Sequence, residues 1–165
     1  MAPGSYRVVI ADQYGQSTSV MALVRPTVPP TTVTSDGCID TAVIPETGGF
    51  FVGDTTNATA DFDADCDAPG MPVGGAKDQL LRLVLTDKRR VVFDMSGSTN
   101  TTLLSIRSGN ACPGTEITNG CNAGTGPNRS FLDTTLAAGT YWVQIDGYGG
   151  AAGPWNLDVR VLPAP

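Results

Sequence analysis

The sequence predicts an all-β fold, an antiparallel β-sandwich of the jelly-roll kind, preceded by a two-stranded hairpin. Three observations carry this reading. Apolar and polar residues alternate in short runs, the pattern of half-buried strands. Glycine, proline, asparagine and aspartate punctuate those runs, with 20 Gly and 12 Pro in 165 residues, and these are the residues that make turns. No stretch carries a convincing amphipathic helical period.

The elements follow in order. Ser5–Ala11 alternates around Tyr6, Val8 and Ile10, and Asp12–Gly15 reads as a turn into a second strand, Ser19–Arg25. Residues 1–25 therefore form a hairpin. Residues 26–35 are rich in Pro and Thr and read as a stiff, extended linker. The main domain is expected over 36–165. Phe50–Val52 is a short strand after Gly48-Gly49, and Asp61–Gly75 is a long loop of Asp, Pro and Gly. Gln79–Leu85 is apolar on both faces, which marks a central strand. Strands follow at Arg90–Met95 and Thr102–Ser108, then a cysteine-bracketed loop, then strands at Ser130–Leu136, Gly139–Asp146 and Trp155–Leu162.

One stretch occurs twice. Pro3–Gly15 and Ala138–Gly149 superimpose as G-[ST]-Y-x-V-x-I-(A)-D-x-Y-G, with Ala11 as the extra residue. A unit near the end of the chain that recurs at its front suggests an array. The first copy then reads as the tail of a preceding repeat or of an immunoglobulin-like domain. A secretion signal is expected upstream of Met1-Ala2, because these lead directly into strand-like sequence.

Composition excludes several functions. The net charge is -6 and the pI about 4.3, and the only basic cluster is Lys88–Arg90, so a nucleic-acid surface is not expected. There is no histidine, which removes Ser-His-Asp and Cys-His catalysis and His-ligated zinc. No run of about 18 apolar residues is present, so no membrane-spanning helix is expected. The four cysteines, Cys38, Cys66, Cys112 and Cys121, form no C-x-x-C pair. An even count in an acidic, Gly/Thr-rich chain reads as two disulfides in an oxidising compartment, outside the cell or at its surface. Cys112 and Cys121 bracket Pro113-Gly114 and Asn119-Gly120, so a local bridge is expected there, which leaves Cys38 with Cys66.

Two groups of residues are candidate sites. Asp61, Asp63, Asp65 and Asp67 alternate along the long loop, with Asp78 beyond it. Such carboxylates can converge on a hard cation, so Ca2+ is the expected cofactor. The competing reading is a solvated acidic loop pinned by a disulfide at Cys66. Trp142, Tyr148 and Trp155 cluster late in the chain and are a candidate stacking platform for sugar or peptide. The competing reading is that the two indoles are used for burial.

The order of motifs carries a resemblance. A D-x-D-x-D-C segment precedes Gly75–Asp78 and the strand Q-L-L-R-L-V-L-T. N-T-T-L-L-S-I-R, a C-P-G…G-C-N loop, A-G-T-Y-W-V-Q-I-D-G-Y-G-G and G-P-W-N-L-D-V-R-V follow. Over about residues 36–162 this resembles the bacterial pre-peptidase C-terminal domain. The resemblance implies a non-catalytic accessory β-sandwich of an extracellular multidomain protein, in a family where some members bind calcium and some bind polymers such as collagen. Three function classes follow. The first is a structural or adhesive module whose partners are neighbouring domains or copies of the same protein, joined by strand addition. The second is an accessory domain that binds carbohydrate or protein fibres. The third is a small carboxylate-based hydrolase.

Overall fold

The computed structural model of the chain describes residues 4–11, 17–24, 29–124 and 129–165. Strands β1 (Gly4–Ala11) and β2 (Ser17–Val24) pair antiparallel as the expected hairpin, with Tyr6 opposite Ala22 and Val8 opposite Val20. The turn expected at Asp12–Gly15 lies outside the described residues.

Ten further strands make the sandwich. They are β3 (Thr31–Thr32), β4 (Ala42–Ile44), β5 (Gly49–Asp54), β6 (Gln79–Leu85), β7 (Arg89–Asp94), β8 (Thr102–Ser108), β9 (Thr115–Ala123), β10 (Phe131–Leu136), β11 (Gly139–Gly147) and β12 (Pro154–Pro163). One sheet has the order β10-β7-β12-β5-β3 and the other the order β4-β6-β11-β8-β9. Among the described residues the one helical element is a 3-10 turn at Tyr148–Gly150.

The core lies between the sheets and is built from period-2 alternation. Phe51, Val91, Phe93, Leu157 and Val159 face inward from the first sheet, and Leu81, Leu83, Leu104, Ile106, Val143 and Ile145 from the second. Burying side chains of this size contributes about 1.5–3 kcal/mol each. The outward face of the first sheet is polar, with ion pairs from Arg160 to Asp94 and Asp158 and from Arg90 to Asp133. The second sheet differs. Its outward side chains Leu80, Leu103, Ser105, Trp142, Gln144 and Asp146 are also buried; the 55–78 segment crosses Gln144 and Asp146 as a strap, and the turn after β8 lies against Trp142.

Four expectations change. The sheets are mixed rather than purely antiparallel: β3 runs parallel to β5, and β4 parallel to β6. These are two- and three-residue edge strands, which leave little edge open to unwanted pairing. Part of the segment read as linker joins the sandwich, since Thr31 and Thr32 pair with β5 and Val33 is buried in the core. The cysteine-bracketed loop contains a strand, β9, paired with β8. The repeated stretch adopts two topologies. Its first copy, β1, pairs with the strand that follows it, whereas β12 leaves β11 and joins the opposite sheet. The shared pattern encodes a strand in both places, and the pairing partner is set by the surrounding strands.

Candidate functional site

The strap is held to the second sheet by polar contacts along its length. Gln144 Nε2 donates to the Phe62 carbonyl at 2.7 Å, and Arg107 donates to the Asp63 carbonyl at 2.9 Å. The Asp65 N–H donates to Glu116 Oε2 at 3.2 Å, and the Gly149 N–H to Asp67 Oδ1 at 2.8 Å.

One of two disulfides fastens the strap as well, and their pairing corrects the expected one. Cys38 bonds Cys112, and Cys66 bonds Cys121, each with Cα atoms 5.7 Å apart. The local Cys112–Cys121 bridge fails because β9 is extended. Cys121 stands opposite Ser105, while Thr115 stands opposite Ser108. The three steps from Ser105 to Ser108 along β8 span about 10 Å, and Cys112 lies beyond Thr115 in the connecting turn. A disulfide requires Cα atoms within about 7 Å. The β8–β9 ladder also carries a large bulge. Ser105 and Arg107 face Cys121 and Glu116, and Asn119 in the bulge has φ 57°. Cys121 thereby meets the strap at Cys66.

Beneath the strap, carboxylates gather. Asp78 is 0% exposed. Its Oδ2 accepts from the N–H groups of Asp61 and Phe62, both at 3.0 Å. Among the described residues no donor reaches its Oδ1. Asp146, on the outer face of β11, is 1% exposed. Its Oδ1 accepts from the Gly147 N–H, and its Oδ2 lies 3.4 Å from Gln144 Nε2. Asp67 Oδ1 accepts from the Ala68 and Gly149 N–H groups, whereas its Oδ2, among the described residues, meets no donor.

Gly75 closes the cluster. It has φ 66°, and a Cβ there would stand 3.4 Å from the Phe62 carbonyl oxygen and 3.6 Å from both Asp67 Oδ2 and Asp146 Oδ2. Burial pushes Asp146 up to about 8, and the negative charges of Asp78 and Asp67 add to the effect, against the Gly147 N–H and Gln144. Burial likewise raises Asp78 to about 7, opposed by the N–H groups of Asp61 and Phe62 and reinforced by the charges of Asp61 and Asp36.

The five aspartates expected to ligate a cation are thus divided. Asp61 accepts from the Thr59 hydroxyl at 2.6 Å, Asp63 accepts from the Gly74 N–H at 2.8 Å, and Asp65 presents its N–H to Glu116. Asp67 and Asp78 turn toward Asp146, which the spacing of the acidic loop did not include. Its sequence signal is a carboxylate two residues after Gln144 on the outer face of an otherwise apolar strand. Among the described residues no three carboxylates or thiols already stand as a gathered ligand set.

The aromatic platform is corrected. Trp142 is 6% exposed, its Nε1 donates to the Gly109 carbonyl at 2.9 Å, and the Arg82 guanidinium lies 6.0 Å from the ring centroid. Trp155 is 3% exposed and belongs to the core, its Nε1 donating to Gln79 Oε1 at 2.8 Å. Tyr148 is half-buried in the 3-10 turn. Strand alternation sends Trp142 and Trp155 to faces that are both covered, so neither ring is free to stack on a ligand.

No family model matches the sequence, and no curated protein matches it. Among solved structures the chain is similar to the pre-peptidase C-terminal domain of a collagenase from Bacillus anthracis, the family its motifs resemble, with 7% identity and a TM-score of 0.42 over 82% of this chain and 100% of that one.

Proposed function

We propose that the chain serves as a non-catalytic structural module of a secreted or surface-attached bacterial multidomain protein, joined to neighbouring domains or to copies of itself by strand addition. The observation that carries this is the closure of the second sheet. Among the described residues its cluster of perturbed carboxylates lies at a strap fastened by the Cys66–Cys121 disulfide, with Asp78 and Asp146 at 0% and 1% exposure. A hydrolase needs such groups within reach of a substrate. Disulfides persist in oxidising compartments, which supports a place outside the cytosol.

A panel of peptide, ester and glycoside reporters tests the reading. The expected result is no turnover, with resistance to protease that is lost on reduction. Turnover that disappears in Asp78→Asn or Asp146→Asn overturns it.

An accessory binding role is the second reading. It is favoured by an open groove beside β3 and β5 in which Thr32, Asp36, Asp54 and Asn57 stand among Val33, Val52 and Ala58, a mixed polar and apolar lining. Retention on polysaccharide or collagen resins, reduced by Asp54→Ala, would favour that reading over the first.

A further inference from the structure

We propose that the Cys66–Cys121 disulfide is a redox latch: its reduction by a dithiol releases residues 56–73 of the strap from the second sheet as a local unit, while the sandwich stays folded. The latch goes beyond the structural role proposed above and does not depend on it.

The first argument is how little apolar anchorage the strap has. From 56 to 73 no residue is buried, and none belongs to the core between the sheets. The sheet residues it crosses, Gln144 and Asp146, are polar. Its attachments are hydrogen bonds. Gln144 and Arg107 donate to the Phe62 and Asp63 carbonyls, the Asp65 N–H donates to Glu116, and the Gly149 N–H donates to Asp67. The N–H groups of Asp61 and Phe62 donate to Asp78. On opening, water replaces most of these partners, so each bond adds little net stability. Segments with few buried apolar contacts open more readily than the core.

The second argument is charge. Asp61, Asp63, Asp65 and Asp67 stand at alternate positions, and among the described residues no lysine or arginine forms an ion pair with them. Like charges so close repel one another, and the repulsion falls when the segment moves into water. The third is the place of the covalent tie. Cys66 lies near the middle of the segment and is bonded to Cys121 on β9. The other disulfide, Cys38–Cys112, includes no strap residue. Held at its middle, the segment can open only as two short loops; freed there, it can leave the sheet as one.

Cys66 and Cys121 are both half-buried, so a small dithiol reaches the bond. One thiolate of the dithiol attacks a sulfur of the disulfide and displaces the other as a thiolate. The second thiol of the reagent then closes its own disulfide and releases the remaining cysteine. Two electrons and two protons pass from the dithiol to Cys66 and Cys121.

Hydrogen exchange of the full chain, followed by mass spectrometry, tests the latch. In Cys66→Ser/Cys121→Ser the amides of 56–73 should exchange about tenfold faster or more than in the oxidised parent. An endoprotease that cuts before aspartate should cleave within the strap, while β6, β8 and β11 keep their protection. Cys38→Ser/Cys112→Ser should keep the strap closed until dithiothreitol is added, and then open it in the same way. If Cys66→Ser/Cys121→Ser does not fold, the Cys38→Ser/Cys112→Ser protein reduced after folding decides in its place. Strap amides that exchange at the parent rate once the bridge is removed overturn the proposal. So does loss of protection in strap and sandwich strands together, or a strap already open in oxidised Cys38→Ser/Cys112→Ser. Turnover of the reporter substrates would overturn the structural role and leave the latch standing.

Discussion

The indole of Trp155 occupies the space that a side chain would take at Gly53, its partner across the β5–β12 ladder. A Cβ at residue 53 would collide with the ring and stand 2.8 Å from Gln79 Oε1, the oxygen that accepts the indole N–H. Glycine in a strand interior often marks such a close approach. Gly53→Ala should therefore destabilise the protein by about 1–3 kcal/mol through overpacking. Trp155→Phe should cost about 1–3 kcal/mol or more, because it leaves the Gln79 oxygen unpaired as well as shrinking the core. Urea unfolding monitored by circular dichroism checks both, and an unchanged midpoint for Gly53→Ala would refute the contact.

Peptide mapping under non-reducing conditions should recover Cys38 linked to Cys112 and Cys66 linked to Cys121. These bridges close sequence separations of 74 and 55 residues. Links of that span restrict the unfolded chain strongly, so a Cys66→Ser/Cys121→Ser double variant should lose about 2–4 kcal/mol. A peptide joining Cys112 to Cys121 would contradict the strand assignment of β9.

Acid should weaken the pairing of β10 with β7. The hydrogen bond from Arg90 is the main cause that holds the Asp133 carboxyl below its ordinary value, with the Arg90 and Arg160 charges adding to it. A carboxyl depressed in the folded state stabilises above its unfolded pKa of about 4, and that stabilisation is lost as the pH falls through the folded value. Asp133→Asn should lower stability by a small, constant amount above about pH 5 and flatten the acid limb, so that the two curves converge at low pH. The effect should be small, since water screens the pair. A pH-stability curve superimposable on that of the parent would remove the pair from the account.

The hairpin β1–β2 forms a sheet of its own, with no third strand among the described residues. Two-stranded sheets are marginal in water, and their open edges invite pairing. Deleting residues 1–25 should lower the Tm or abolish self-association. Light scattering and thermal melts decide it, and two monomers with the same Tm would rule out a docking role.

Period-2 alternation alone determined that the chain is all-β, and placed most strands to within about two residues. Val91 and Phe93, or Tyr141, Val143 and Ile145, cannot all be buried on one face in any other local structure. The absence of histidine likewise limited the chemistry before any fold was known. What only the tertiary structure decided are relations between residues far apart in sequence. The turn dipeptides near Cys112 and Cys121 point to a local bridge, but β8 holds β9 extended and carries the two cysteines apart. Trp142 alternates away from the core, and nothing in its neighbourhood announces that Arg82 and the turn at Gly109 will cover it. Asp146 looks like the last polar residue of a strand, and it becomes a member of a buried cluster only because Asp78 and Asp67 are folded against it across more than 60 residues. Local periodicity is written in neighbouring residues, whereas disulfide pairing, the covering of an outer face and the gathering of carboxylates depend on which segments the sandwich brings into contact.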